Sequence, residues 1–204
     1  TWQLVQEMKE GRALFTQPPM PIKCAGAPQK AMYLSADAWY RRGVLKNIDV
    51  QFMNAGGVLF GVKEYVPALM EYVKKYDATL NFFQNLVSVD GDAKKATFKV
   101  AKPDTDPEMV TVDFDMMHVC PPQKAPDFIR VSPLADAAGW VDVDQANLRH
   151  KTFDNIRSLG DVMNAPNAKT MAAARKQAPT VAENICADID GGSPVAQYDG
   201  YGSC

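Results

Sequence analysis

The sequence predicts an α/β fold built on a parallel sheet with an antiparallel appendage. Two observations carry this. In the first part of the chain, strand-like and helix-like segments alternate, as they do where parallel strands are joined by helical crossovers. In the part that follows, β-like runs succeed one another with only turns between them. Each element can be justified in order. After a short helical opening, Arg12-Ala13-Leu14-Phe15-Thr16 reads as a strand ended by the turn Gln17-Pro18-Pro19, and residues 27–42 read as a helix. Residues 48–53 form a second strand candidate, which Ala55-Gly56-Gly57 interrupts. Residues 63–76 follow as a helix, with Tyr65, Val66, Leu69, Met70, Val73 and Tyr76 at helical spacing.

Residues 79–89 and 96–100 read as two strands joined by Asp90-Gly91-Asp92, and residues 109–119 as a third, closed by Pro121-Pro122. The stretch Lys102-Pro103-Asp104-Thr105-Asp106-Pro107 between the last two reads as a polar turn. These segments together predict a Rossmann-like domain over residues 1–122. Residues 123–138, punctuated by Pro126 and Pro133, read as a crossover to a different unit, residues 139–204. There, residues 139–144 and 155–159 read as short strands. Residue 168 onward reads as a helix that Pro179 should kink.

The chain has 204 residues, 47% of them apolar and 23% charged, which is enough for one large or two small cores. Its 22 basic and 24 acidic residues give a formal charge of −2, and no basic block is present, which argues against nucleic acid as a partner. No run approaches the roughly 20 apolar residues of a membrane span, and the opening residues lack the order of a signal peptide, so the chain as given is expected to be soluble. The four cysteines, Cys24, Cys120, Cys186 and Cys204, include no C-x-x-C pair. His118 and His150 lie far apart, and no metal site is expected.

Two segments stand out chemically. Pro21-Ile22-Lys23-Cys24-Ala25-Gly26-Ala27-Pro28 puts a cysteine within a turn of a helix start that follows a strand. A phosphate loop holds an anion at that place in a nucleotide-binding unit, although no G-x-G-x-x-G is present here. Unpaired helix N–H groups and Lys23 would favour a thiolate on Cys24. The alternative is a buried cysteine packed as a small hydrophobe. The second segment, Asn155-Ile156-Arg157-Ser158-Leu159-Gly160-Asp161, runs into a Gly-Asp pair. There an acidic side chain can accept hydrogen bonds from ribityl or ribose hydroxyls and glycine admits close approach. An aspartate that only starts a turn is the alternative. Cys186 falls on a stripe with Ala178, Val181, Ala182, Ile185 and Ile189 and reads as packing. Cys120, at a strand end, reads as structural. Cys204 closes the glycine-bearing turn Tyr198-Asp199-Gly200-Tyr201-Gly202-Ser203-Cys204.

Taken together, these segments resemble the sulfide:quinone oxidoreductases, in particular the branch that includes the mitochondrial enzyme. The resemblance runs over nearly the whole chain. It is carried by Pro21 to Lys30 with Ala31-Met32-Tyr33-Leu34-Ser35, by Phe60-Gly61-Val62-Lys63, and by Ser132-Pro133-Leu134-Ala135-Asp136-Ala137-Ala138-Gly139-Trp140-Val141-Asp142-Val143-Asp144. Gly160-Asp161, Lys169-Thr170 and Tyr198-Asp199-Gly200-Tyr201 with Cys204 complete it. The resemblance implies a flavoprotein of the type with two dinucleotide-binding domains. In such a protein residues 1–122 would be the second Rossmann-like domain and residues 139–204 the C-terminal part of an FAD-binding domain.

It further implies that Cys24 and Cys204 form the redox pair. Gly160 and Asp161 would match an FAD motif, and Lys169 with Thr170 a helix start near the isoalloxazine ring. The implied substrates and partners are sulfide, a sulfur acceptor such as glutathione, sulfite or a second sulfide, and membrane quinone. The parent would be a peripheral membrane protein, of which this chain is a fragment expected to bind FAD weakly or not at all. A flavocytochrome-type sulfide dehydrogenase, an NADH:quinone oxidoreductase relative and a non-catalytic thiol-sensing or interaction module are the alternatives. The NADH:quinone alternative needs a glycine-rich loop where this chain has Lys23-Cys24-Ala25-Gly26.

Overall fold

The computed structural model describes residues 1–101 and 105–203. It divides into two compact units, Thr1–Pro122 and Gln123–Cys204. The expected turn at Lys102-Pro103-Asp104 lies outside the described residues, as does Cys204.

In the first unit, helix α1 (Trp2–Glu7), strand β1 (Gly11–Gln17), helix α2 (Ala27–Arg41), strand β2 (Ile48–Asn54) and helix α3 (Val66–Lys75) alternate, and β3 (Thr79–Phe82) follows. β1 pairs in parallel with β2 on one side and with β7 (Met116–His118) on the other, giving the sheet order β3-β2-β1-β7. A central strand covered on both faces needs apolar residues in succession, and Ala13, Leu14 and Phe15 supply them. Successive side chains point to opposite faces. Phe15 joins a core with Val5, Met32, Trp39, Phe52 and Val73, which includes residues of all three helices. Leu14 joins another with Met53, Ala96, Phe98 and Val100, under the second sheet.

α2 buries Met32, Ser35, Ala36 and Trp39, the i, i+3, i+4, i+7 face of an amphipathic helix, and Pro28 stands in its first turn. The Trp39 indole N–H donates to the Val5 carbonyl at 2.9 Å and fastens α1 across it. The expected helix over 63–76 begins instead as a 3₁₀ turn, Lys63–Tyr65, and becomes α-helical only at Val66. Pro67 stands in the first turn of α3, where its missing N–H has no intrahelical partner to lose.

Two predicted strands are each divided. Residues 79–89 do not make one strand: β3 ends at Phe82, and β4 (Gln84–Asp90) belongs to an antiparallel sheet with β5 (Lys95–Val100) and β6 (Glu108–Asp113). Phe83 between them has φ +58, a left-handed backbone that redirects the chain from one sheet to the other. Residues 109–119 likewise divide into β6 and β7. Asp115 turns the chain there: its N–H donates to the Arg12 carbonyl at 2.9 Å, and its carboxylate accepts from the Arg12 N–H at 2.8 Å.

The second unit contains a short helix α4 (Asp127–Arg130), a 3₁₀ turn (Gly160–Val162) and the long helix α5 (Met171–Ile189). Val141, Val143, Leu148, Met163, Ala165, Val181 and Tyr198 form its core. The strands expected at 139–144 and 155–159 are absent, and these residues enter only isolated bridges, such as Val143 with His150 and Arg149 with Arg157. Side chains complete much of the backbone bonding that a ladder would supply. The Asn164 side-chain oxygen accepts from Val143 N–H at 3.1 Å. His150, 3% exposed, accepts at Nδ1 from the Thr152 and Phe153 amides at 3.0 and 3.1 Å, so its proton sits on Nε2 and goes to the Leu134 carbonyl at 3.0 Å.

α5 begins at Met171 and not at Ala168, with Thr170 as its cap. Pro179 lies inside it, where its ring nitrogen has no hydrogen for the Arg175 carbonyl. The expected packing stripe is overturned: Ala178, Ala182, Ile185, Cys186 and Ile189 are exposed, whereas Ala173, Gln177, Thr180, Val181 and Asn184 are buried. Gln177 and Asn184 face inward because they bond to the surrounding loops.

Candidate redox and flavin-facing sites

Cys24 lies in the loop between β1 and α2. Its carbonyl accepts from the Ala27 N–H at 3.2 Å, closing a turn into α2 with Gly26 as the capping residue. Cys24 thus stands two residues ahead of the cap, near the N–H groups of the first helical turn and partly buried. It is disulfide-bonded, so the thiolate expected from its position is not the state of this structure. The other described cysteines, Cys120 and Cys186, are free thiols.

Cys120 borders a cavity of about 200 Å³ in the first unit, beyond the ends of β1 and β7, whose lining includes Thr16, Gln17, Leu86 and Pro121. Its N–H donates to the Thr16 hydroxyl at 3.0 Å, and burial pushes the thiol pKa up, which lowers its thiolate fraction near neutral pH. Nearby, the Gln17 side-chain oxygen and His118 Nδ1 are buried without a hydrogen-bond partner, and burial lowers the His118 pKa. Neither group is marked by a motif in the sequence, where Gln17 is expected only to start a turn.

The other four expected site residues all lie in the second unit, around the first half of α5. Gly160 has φ +75, a conformation suited to glycine, and no atom lies within 4 Å of where a side chain would begin. Its N–H donates to the buried Gln177 side chain at 2.8 Å, which joins the Gly-Asp turn to α5. Asp161 is exposed. Lys169 donates to the Ala165 carbonyl at 2.8 Å and lies 5.4 Å from the centre of the Trp140 ring. The Thr170 hydroxyl accepts from the Ala173 N–H at 3.4 Å and donates to the Ser203 carbonyl at 2.7 Å. Gln177 went unnoticed in the sequence, where a glutamine one turn from Ala173 was the available signal, and Trp140 was read only as part of a strand and of the resemblance.

The tail that follows α5 has no regular secondary structure and is held residue by residue. Asn184 accepts from the Val195 and Ala196 amides at 2.8 and 2.9 Å and donates to the Ala196 and Asn147 carbonyls. Tyr198 N–H donates to the Ala146 carbonyl at 2.7 Å, and its hydroxyl donates to the Tyr201 carbonyl. Among the described residues there is no His/Cys/Asp/Glu cluster for a metal, and no helix is long and apolar enough to cross a membrane.

A parallel sheet flanked by helices, with an antiparallel meander attached and a second unit after it, defines an α/β protein of Rossmann-like fold. Solved structures share it. The Aquifex aeolicus sulfide:quinone oxidoreductase superposes with a TM-score of 0.71 at 18% identity, over 93% of this chain and 46% of that one. A thioredoxin reductase from T. acidophilum gives 0.61 at 15% identity, over 91% and 55%. A chain in the Tetrahymena thermophila mitochondrial ATP synthase assembly gives 0.80 at 24% identity, over 97% and 48%.

No family profile matches the chain. In sequence, however, the chain is similar along its whole length to mitochondrial sulfide:quinone oxidoreductases. It is 42% identical to that of Mus musculus over all of the chain and 45% of the relative, and 38% identical to that of Schizosaccharomyces pombe over 98% and 43%. The chain therefore spans about half the length of the curated relatives it matches.

Proposed function

We propose that this chain is part of an FAD-dependent sulfide:quinone oxidoreductase, an enzyme that oxidises sulfide through a cysteine pair and passes the electrons to membrane quinone. The observation that carries the reading is the whole-length identity of 38–42% to proteins named for that activity. In it, residues 1–122 are the second Rossmann-like domain with its β appendage, residues 123–138 the crossover, and residues 139–204 part of the FAD-binding domain. The parent is a peripheral membrane protein, and its sulfur acceptor is glutathione, sulfite or a second sulfide.

Cys24 and Cys204 are the redox pair in this reading. It is supported by the bonded state of Cys24 and by the free thiols at Cys120 and Cys186. Hydrosulfide attacks Sγ of Cys204, the disulfide breaks, and its electron pair leaves on Sγ of Cys24. Cys204 then carries a persulfide and Cys24 a thiolate. Exchange is faster when the leaving thiol has a low pKa, and the amides at the start of α2 favour the anion on Cys24. The acceptor removes the outer sulfur from Cys204.

The residues around α5 fit a flavin. The glycine turn at 160 leaves open space beside its backbone, and Asp161 is exposed where it can accept from hydroxyl groups. Thr170 and Lys169 stand at a helix start whose partial positive charge favours an electron-rich ring. FAD supplies the two-electron acceptor that sulfide oxidation requires. In the full-length protein, sulfide is expected to bleach the flavin absorbance. Cys24→Ser and Cys204→Ser are each expected to abolish turnover, and Cys186→Ala to leave it nearly intact. A flavin that stays oxidised under sulfide, or equal loss in all three folded variants, would refute the proposal.

A further inference from the structure

We infer that Trp140 is a positioning residue for Lys169: its ring seats the Lys169 ammonium at the start of α5, facing the flavin of the proposed enzyme. The link to the flavin rests on that proposal, whereas the seat itself lies wholly within the second unit. A cation just ahead of a helix N-terminus meets the positive end of the macrodipole and is ill placed for stability. Lys169 stands there nonetheless, one residue before the cap Thr170. Its ammonium donates to the Ala165 carbonyl at 2.8 Å and lies over the Trp140 ring, 5.4 Å from its centre. Of the aromatic rings an indole attracts a cation to its face most strongly, and more so where water is kept out. Trp140 is 7% exposed.

The backbone fixes this seat in advance. The Asp136 carboxylate accepts from the Trp140 N–H at 3.0 Å, and the Asp136 N–H donates to the Trp140 carbonyl at 2.7 Å. Val141, the next residue, donates to the Val162 carbonyl at 2.8 Å and accepts from the Asn164 N–H at 3.0 Å. Asn164 immediately precedes Ala165, so the ring and the carbonyl that hold the ammonium are carried by paired segments of one framework. A charge held in advance needs no rearrangement when a group beside it becomes electron-rich, and such a charge is what a protein supplies to a flavin.

Ring face and bulk separate by substitution. Trp140→Phe keeps a face, though a weaker one, whereas Trp140→Leu keeps only apolar bulk. The purified 204-residue chain is treated with the N-hydroxysuccinimide ester of acetic acid. A neutral lysine amine attacks the ester carbonyl and loses a proton, and N-hydroxysuccinimide leaves. A ring that favours the ammonium slows this reaction at Lys169. Peptide mapping against time gives the rate, with exposed Lys46 as internal reference. Trp140→Leu is expected to raise the rate at Lys169 about fivefold, the factor of one cation–π contact, with Trp140→Phe between it and wild type. Thermal unfolding checks that each variant is folded.

In the full-length protein loaded with FAD, Trp140→Leu is expected to lower the midpoint potential of the flavin, read by equilibration with a reference dye. A positive charge that is held less firmly stabilises the reduced ring less. Wild type alone gives a check that needs no variant to fold: the ε-methylene protons of Lys169, lying over the indole, should resonate upfield of those of Lys46. Lys169 resonances at the ordinary lysine position, or a leucine variant labelled no faster than the phenylalanine one, overturn the seat. Altered labelling with an unchanged potential overturns its link to the flavin. A full-length protein that takes up no FAD refutes the proposed enzyme itself, and the labelling then decides the seat alone.

Discussion

Asn184 holds more of the tail than any other side chain, and truncating it gives a sharp expectation. Its amide is completely buried and bonds four backbone groups: the Val195 and Ala196 N–H groups, and the Ala196 and Asn147 carbonyls. In Asn184→Ala the three groups of the tail lose their partner, whereas the Asn147 carbonyl still accepts from Arg157 at 2.8 Å. If the tail stayed in place, each part-buried orphan would cost up to about 1–3 kcal/mol, so the three together would rival what docking a short irregular segment can supply. The cheaper response is release, in which these groups take water as partner. The loss is then bounded by the docking energy of the tail, roughly 2–4 kcal/mol. Hydrogen exchange distinguishes the outcomes. The amides of Val195, Ala196 and Tyr198 should exchange at least tenfold faster, the factor of about 1.4 kcal/mol, while those in the middle of α5 keep their protection. Unchanged protection at Val195 and Ala196 in the folded variant would refute the argument.

Other expectations follow from single contacts. Asp142 has its pKa held below the ordinary carboxylate value by the Lys151 ammonium 2.6 Å away and by Asn164, against partial burial. It therefore contributes stability that is present above the unfolded carboxylate pKa and lost as pH falls through the depressed folded value. Asp142→Asn should lower the thermal midpoint at pH 7 and shrink the difference from wild type in strong acid; a constant difference at all pH values would contradict this. Iodoacetamide near neutral pH should label exposed Cys186 well before Cys120, whose thiol is part-buried and raised in pKa, and peptide mapping against time reads the order. Trp39→Phe should cost only about 1–2 kcal/mol in urea unfolding, although the indole is fully buried. The reason is that Arg42 also donates to the Val5 carbonyl, at 2.9 Å, and keeps it satisfied.

The first unit was largely readable because its signals are local. Gln17-Pro18-Pro19 ends β1, the spacing of Met32, Ala36 and Trp39 marks α2, and the glycines after β2 mark its end. The parallel sheet with its antiparallel appendage follows from that order, and the structure has it. The division of residues 79–89 at Phe83 was hidden, because β-like residues continue through the break and only a left-handed φ on a phenylalanine reveals it. Asp115 was hidden for a related reason: its partner is Arg12, more than one hundred positions away.

In the second unit the alternation holds only over 141–144, where Val141 and Val143 are buried and Asp144 is exposed, since Trp140 is buried beside Val141. It announced a strand that does not form, because the backbone partners there are side chains and single residues, which no periodicity encodes. α5 shows the same limit from the other side. Its apolar stripe faces out, and Gln177 and Asn184 face in, because each completes a loop that the sequence could not show folding over it. Of the candidate site, the approach of Cys24 to a helix start and the glycine turn at 160 are local and were legible. A disulfide at Cys24 was implied by the family resemblance and by no local signal, and the donation from Thr170 to Ser203, a tertiary contact, was not legible.

The central claim is that Cys24 and Cys204 divide the work, one as leaving thiolate and the other as sulfur carrier. It is tested most directly by adding hydrosulfide to the oxidised 204-residue chain, trapping the products with an alkylating agent and mapping the peptides. The expected result is one added sulfur on the Cys204 peptide and a newly alkylated thiol at Cys24, with Cys120 and Cys186 unchanged. An added sulfur on Cys24, or a Cys24 disulfide that hydrosulfide leaves closed, would contradict the account.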